Sequence, residues 1–349
     1  MGAQISGHLA NAGIPSYLFD INDEFSKKGK ESLKALKPAP LYNPKNIDLI
    51  KTCSYKNDLD KIKDADWILE AVVEKLEIKE KVYSAIIPNL KESAIFSSNT
   101  SGIPLADLTR TFQDNLKKRF LITHFFNPPR YMQLLELVRG PETSDKTYET
   151  MIEFGESVLG KGIVHAKDTP NFIGNRIGVH GANNAIKLAI DMGLSVEEVD
   201  KLTGTIVGRP KCGIFRSVDI VGLDFQSNVS STSYDNLVED EARETLKAPD
   251  ILQHLIDDGR LGQKSKAGFY KKTDDGILSI DLKTGEYKAQ KKVLFDGYRA
   301  AKGFQKVADR IKSLAFNDDK SGKFFWEITA DSLIYSANRI PEISDDIIN

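Results

Sequence analysis

Between residues 14 and 140, short apolar runs take turns with longer segments of helical periodicity, and this alternation constrains the fold more than any other feature. The runs are IPSYLFD, a short one around TCSY, then ADWILEAV, AIFSSNTSG, FLITHFF and QLLELV. Among the intervening segments, EFSKKGKESLKAL reads as a helix. EIKEKVYSAIIPNLK places Ile78, Val82, Ala85, Ile86 and Leu90 near helical spacing. Strands alternating with helices of this length predict a mostly parallel, doubly wound α/β sheet. Ligands of such sheets sit beyond the carboxyl ends of the strands. Asp20, Glu74, Asn99, Ser101 and His124 all fall at such ends, which argues for a single site.

The chain opens on MGAQISGHLANAG, a helix from its first residue, with Gly2, Ala3, Ser6, Gly7 and Ala10 forming a close-packing surface. A turn at Gly13 and a strand ending in Asp20 follow, which is the second half of a dinucleotide-binding unit. A carboxylate at Asp20 would accept hydrogen bonds from both ribose hydroxyls of an adenosine and repel the extra phosphate of NADP, so NAD is favoured. The same aspartate also fits an ordinary strand end. The first half of the unit is missing: a G-x-G-x-x-G turn would follow a preceding strand, and only Gly2 stands where its last glycine belongs. The expectation is an incomplete record, with Met1 an internal methionine, and little NAD affinity for the chain as it stands.

One stretch carries a candidate acid–base pair. In THFFNPPRYMQLLE, residues 123–136, His124 ends an apolar run and Glu136 follows a double-proline turn at Pro128 and Pro129. Adjacent strands joined by a tight turn would bring the two together. A histidine oriented by a carboxylate is a common way to hold a general base near neutrality. A core histidine beside a structural acid fits the same pair.

The pattern changes near residue 168. In KDTPNFIGNR, Thr169 before Pro170 suits the N-cap and first position of a helix that runs to Gly193. Ser195 and Glu198 make a capping box for the next helix. The expected organisation is an α/β domain over 1–168 with a hinge at 160–170, then a helical domain over 169–270. A linker with a hairpin follows over 271–292, and a further module over 293–349 opens with two amphipathic helices, the second ended by Pro341. His8, His165, His180 and His254 have no motif partner and read as structural or surface residues.

Charge and cysteine usage narrow the class. A net charge of −2 leaves no footprint for nucleic acid or an anionic membrane surface. No window approaches a spanning apolar helix, and no charged-then-apolar leader pattern is seen, so no signal peptide is expected. Cys53 and Cys212 form neither a CxxC nor a metal spacing, and there is no HExxH, so no metal and a reducing cytoplasm are expected.

EAVVEKLEIKEKV, SSNTSGIPL, HFFNPPRYMQLLELV, KDTPNFIGNRI and VDIVGLD, in this order and spacing, resemble the 3-hydroxyacyl-CoA dehydrogenase family over roughly residues 1–270. HFFNP–E and KDTP-x-FI-x-NR are the specific elements. The tail from about Leu278 resembles, through YSANRIPEI, a further helical module of long fatty-acid-degrading members, after which an enoyl-CoA hydratase part can follow. The resemblance implies a Rossmann-like doubly wound sheet, here without its first strand, followed by an all-helical C-terminal domain. It implies NAD as cofactor, an acyl-CoA thioester as substrate, and a homodimer through the helical domain. The implied reaction is oxidation of (S)-3-hydroxyacyl-CoA to 3-oxoacyl-CoA in fatty acid β-oxidation.

Matched to the family motifs, His124 is the catalytic base and Glu136 its orienting carboxylate. Ser101 lies near the reacting oxygen, and Asn175 contributes an amide from the second domain. Asp20 matches the ribose acid, Gly2 the end of the glycine turn, Glu74 an acid near the nicotinamide, and Asn99 and Asn127 polar cofactor or site contacts. The chain departs from the family at Asn171, usually glycine, and in GIFRS at 213–217, where many members carry proline after the glycine. Two other readings stand: a dehydrogenase of a small hydroxy acid without CoA, and a catalytically silent relative. The four retained polar residues weigh against the silent relative and the missing glycine turn weighs for it.

Overall fold

The computed structural model describes residues 1–348. They divide into two units, Met1–Ile173 joined by the chain end from Ile340, and Gly174–Arg339. The first unit runs α1 (Gly2–Asn11), β1 (Ser16–Asp20), α2 (Asp23–Ser32), β2 (Ile50–Ser54), β3 (Trp67–Glu70), α3 (Leu76–Ile86) and β4 (Ile95–Ser98). It continues through α4 (Leu105–Thr109), α5 (Asp114–Lys117), β5 (Phe120–Phe125), β6 (Leu134–Arg139), α6 (Asp145–Glu153) and β7 (Gly162–Ala166). Local chemistry sets the helix starts. Asn22 accepts from the Phe25 amide at 2.9 Å to cap α2, and Ser144 caps α6 in the same manner. All six residues of β5 are buried, as befits an inner strand covered on both faces.

The strands form two sheets. β1 pairs in parallel with β2, and a second sheet has the order β3-β4-β5-β6-β7. Every pairing in the second sheet is parallel except β5 with β6, which are antiparallel. β1 and β3 do not pair, and among the described residues no strand lies between them. Helix α1 straddles this break. Its Ile5 packs with Leu121, Phe125, Leu135 and Leu137 of the larger sheet, while Ala10 packs with Leu18 and Ile50 of the smaller. A Cβ placed on Gly2 would lie 3.9 Å from both Leu18 in β1 and Ala71 just after β3.

Two local expectations are corrected here. The segment expected as a hinge, 160–170, contains the strand β7, paired with β6 from Leu134↔Gly162 to Val138↔Ala166. The helix expected to be capped by Thr169 begins instead at Gly174, and residues between them form a turn.

The second unit contains α7 (Gly174–Met192), α8 (Val196–Leu202), α9 (Phe215–Val221), α10 (Leu223–Asn236), α11 (Arg243–Leu246) and α12 (Asp250–Asp257). A small antiparallel sheet of β8 (Tyr270–Thr273), β9 (Gly276–Ile280) and β10 (Tyr287–Ala289) precedes α13 (Asp296–Lys302), α14 (Val307–Ala315) and α15 (Lys320–Asn338). The capping box is present, with both Ser195–Glu198 bonds formed. The hairpin gains a third strand, and the first expected amphipathic helix breaks at Gly303 into α13 and α14. Residues 271–339 join the same unit because Ile280, Leu282, Ala301, Leu314 and Phe324 share one core with Ala185, Val199 and Phe215.

Buried acids fasten the second unit. Asp200 accepts from the amides of Phe215 and Arg216 and from Tyr270 Oη at 2.7–3.0 Å, and burial still pushes its carboxyl up to about 7. Asp219 accepts from the Phe269 and Tyr270 amides at 2.8 and 2.9 Å. A Cβ at position 268 would fall 2.1 Å from Asp219 Oδ1, so only glycine lets β8 approach that carboxylate. On α7, Arg176 pairs with Asp240 at 2.6 Å and bonds Tyr335 Oη of α15 at 3.0 Å, while His180 stacks on the Tyr335 ring at 3.7 Å. No helix among the described residues is long and apolar enough to cross a membrane.

Candidate active site

The β5–β6 hairpin places His124 directly opposite Glu136. Their side chains meet with Nδ1 2.6 Å from Oε2, and Glu136 is 0% exposed and His124 4%. The other carboxylate oxygen, Oε1, accepts from the Ile173 amide at 3.0 Å. An ionised carboxylate only accepts, so the imidazole hydrogen resides on Nδ1 and donates to Glu136. The lone pair then belongs to Nε2, which has no hydrogen-bond partner among the described residues. Phe126 and Phe172 flank the ring, with centroids 4.7 and 5.7 Å from it. This buried, apolar setting holds the imidazole in one plane and leaves one nitrogen able to take a proton.

The turn after Asp168 supports this pair. Both Asp168 oxygens accept from the Leu105 amide, fixing the start of the turn. Asn171 and Phe172 then take φ values of +64° and +50°. Asparagine tolerates that left-handed region better than most side chains, which accounts for a residue other than glycine at 171. A phenylalanine there is strained by about 1–3 kcal/mol. The strain accompanies two contacts on the pair, the Phe172 ring on His124 and the Ile173 amide on Glu136.

At the carboxyl ends of β3 and β4 lies a polar network around a cavity of about 330 Å³, lined by Met1, Ala71–Val73, Glu74, Asn99 and Ser101. Glu74 accepts from the Ser101 amide at 2.8 Å and from Thr100 Oγ1. Burial raises its carboxyl, but the Lys79 charge and these bonds outweigh that and hold it below the usual carboxylate range. Lys79 lies 3.1 Å from Glu74 and 2.9 and 3.0 Å from the two oxygens of Glu70. Glu70 also accepts from Tyr83 Oη, Ser98 Oγ and the Val72 amide at 2.7–2.9 Å. Asn99 accepts from the Phe125 amide at 2.9 Å and so couples the ends of β4 and β5.

The structure thus joins His124 with Glu136, and it joins Glu74, Asn99 and Ser101 around one cavity. Asn127, Asp20 and Gly2 of the same unit take part in neither set of contacts. Asn127 is exposed on the hairpin loop. Asp20 ends β1 in the smaller sheet, where Oδ1 accepts only from its neighbour Ile21 at 2.8 Å. Gly2 opens α1, whose N-terminus has no side-chain cap, and no close contact there demands a glycine. Asn175 lies in the second unit, in the first turn of α7, with its amide nitrogen buried and unpartnered. Sequence reasoning missed Glu70, Lys79, Phe172 and the Ile173 amide. A glutamate inside the apolar run ADWILEAV was the available signal for the first two.

An open, mainly parallel sheet with polar residues gathered at its strand ends, and a carboxylate-oriented histidine, define an α/β protein of the dinucleotide-binding class. Residues 1–169 match the family profile described as 3-hydroxyacyl-CoA dehydrogenase, NAD binding domain, and residues 172–272 match the C-terminal domain of that family. A probable 3-hydroxyacyl-CoA dehydrogenase of Deinococcus radiodurans is 40% identical over 79% of this chain and 81% of its own length. A protein of the same description from Bacillus subtilis is 41% identical over 99% of this chain and 46% of its own length. The solved (S)-3-hydroxybutyryl-CoA dehydrogenase of Ralstonia eutropha superposes with a TM-score of 0.64 at 28% identity, covering 77% of this chain and 94% of that one. The chain belongs to the 3-hydroxyacyl-CoA dehydrogenase family. It spans about half the length of several curated relatives that it matches, among them the Bacillus protein.

Proposed function

We propose that this chain carries the NAD-dependent oxidation of (S)-3-hydroxyacyl-CoA to 3-oxoacyl-CoA, a step of fatty acid β-oxidation. The carrying observation is the buried His124–Glu136 pair at 2.6 Å, which leaves Nε2 free to act as a base. Nε2 takes the proton of the substrate β-hydroxyl, and Glu136 stabilises the imidazolium that results. Bound NAD supplies the hydride acceptor. The Ser101 hydroxyl and the Asn175 amide, neither hydrogen-bonded among the described residues, are assigned as donors to the developing carbonyl oxygen. Glu74 and Asn99 suit the nicotinamide end of the cofactor, Asn127 a further polar contact, and Asp20 the adenosine ribose.

The residues fit that cofactor unevenly. Polar groups around the cavity and the uncapped N-terminus of α1 suit a nicotinamide and a pyrophosphate. Between β1 and β3, however, no strand among the described residues carries a turn on which a pyrophosphate could rest. Fluorescence titration of the 349-residue chain is therefore expected to give weak NADH binding. Supplying a strand and glycine turn ahead of Met1 should tighten it, and micromolar binding without that addition would contradict the reading of the break.

The reaction is tested by following NADH at 340 nm with acetoacetyl-CoA and, separately, with acetoacetate. Turnover of the thioester but not of the free acid is expected. Preference for the free acid would favour a small hydroxy acid dehydrogenase instead. Pairing of two copies through the helical unit, an enoyl-CoA hydratase region in the full-length protein, and work in the reducing cytoplasm belong to the same proposal. The last accords with two free cysteines.

A further inference from the structure

We propose that Lys161 is a positioning residue for the His124–Glu136 pair: its buried ammonium clamps the loop that joins their two strands. The inference rests on the catalytic reading given above. Lys161 is 6% exposed, and its Nζ donates to the carbonyls of Pro129 and, at 2.8 Å, of Met132. Among the described residues no carboxylate pairs with it. The nearest aromatic face is that of Phe125, the residue after His124, with its centroid 5.7 Å from Nζ. The adjacent Gly162 amide donates to Gln133 O at 2.9 Å, and Gly162 opens the pairing of β7 with β6. Lys161 thus ties the hairpin loop, including Asn127, to the rim of the sheet.

A buried ammonium with carbonyl partners only is an expensive way to fill this place. An apolar side chain of similar length would avoid the desolvation. What the charge adds is strength and direction in the two bonds that hold the loop. Burial holds the Lys161 ammonium down at about 8. Its folded value therefore lies below the unfolded one of about 10.4. The charged form costs the fold stability at neutral pH, and that cost fades as the pH rises past 8. Loop opening becomes harder over the same range, because the closed state is the one that binds the proton more weakly.

His8 on α1 faces the ammonium and is pushed down to about 4, first by its own burial and then by the Lys161 charge. Arg130, the other charge on the loop, points away to Ala39 O and Leu41 O, and Glu153 and Glu156 on the preceding segment are exposed.

The test is hydrogen exchange at the Tyr131 and Met132 amides, both of which donate to Pro128 O. In the wild type, opening corrected for intrinsic exchange should fall about tenfold from pH 7 to 9, because opening returns the amine to water and to its ordinary proton affinity. K161R, charged throughout, should remove that fall. K161M should open the loop about tenfold relative to the wild type at pH 7, show no pH response, and lower kcat by a similar factor. Its Tm should equal or exceed that of the wild type, a combination that a purely structural lysine would not give. Unchanged exchange in K161M, or the same pH response in K161R as in the wild type, overturns the proposal. Should K161M fail to fold, the K161R comparison decides. H124Q is the control: if it retains turnover, the catalytic reading fails, whereas loss of turnover in H124Q with unaltered exchange in K161M sinks the lysine alone.

Discussion

Replacing His124 by glutamine is expected to lower turnover of acetoacetyl-CoA with NADH by about 10²–10⁴-fold, the usual worth of a positioned general base. The substitution is chosen because it separates chemistry from packing. A glutamine amide can still donate to Glu136 Oε2, so the buried carboxylate keeps a partner and the hairpin keeps its register. What disappears is the lone pair at the place of Nε2. The melting temperature should move little, and KM for the thioester should change less than kcat, because the proton is transferred after binding. Glu136→Gln is the complementary variant. It also keeps the shape, but it offers an amide where Nδ1–H needs an acceptor, and the tautomer reverses. That reversal should cost as much as losing the base, as it does in histidine–acid dyads of hydrolases. Near-normal turnover in either variant would remove the mechanism.

The legible and illegible parts of this site differ for a physical reason. His124 and Glu136 could be brought together on paper because strand periodicity and a proline-rich turn fix a register, and opposite residues on one face must touch. The cluster of Glu74, Asn99 and Ser101 was reachable through the rule that places ligands beyond strand ends. Glu70 was not. A charged residue inside WILE contradicts the apolar pattern, and its partner Lys79, next to Ile78 on an amphipathic helix, resembles the many lysines that face solvent. Their pairing spans a strand, a turn and a helix, a geometry that no linear spacing announces.

The segment 168–174 misleads for another reason. Thr-Pro is a good helix-start signal, yet the left-handed φ values at Asn171 and Phe172 delay the helix to Gly174 and aim two groups at the His124–Glu136 pair. β7 escaped because GIVHA sits among glycine and lysine and has few residues with which to show alternation. What pairs it with β6 is tertiary.

Lys79→Met should destabilise the first unit by about 3–5 kcal/mol, because removing one partner of a buried ion pair strands the other. Glu70 is only 4% exposed, and Lys79 contacts both of its oxygens. Tyr83, Ser98 and Val72 would still donate to it, so the carboxylate keeps hydrogen bonds but loses its counter-charge. In a unit of this size the loss should appear as a fall in Tm of about 2–4 °C for each kcal/mol. Glu70→Gln combined with Lys79→Met removes both charges and should recover most of the deficit, so a double-mutant cycle is the decisive form of the measurement. An unchanged Tm in the single variant, or no recovery in the double, would show that the pair is not the brace its geometry suggests. The same lysine reaches the cavity at the strand ends. Its charge helps hold Glu74 below the ordinary carboxylate range, so that group lends stability above its unfolded value of about 4.3 and loses it as the pH falls through the lowered folded value. In the methionine variant Glu74 should therefore protonate at higher pH, visible in the titration of its carboxyl carbon by NMR. A single substitution would then weaken the fold and move the charge state beside the cavity together, because one buried ammonium serves both acids.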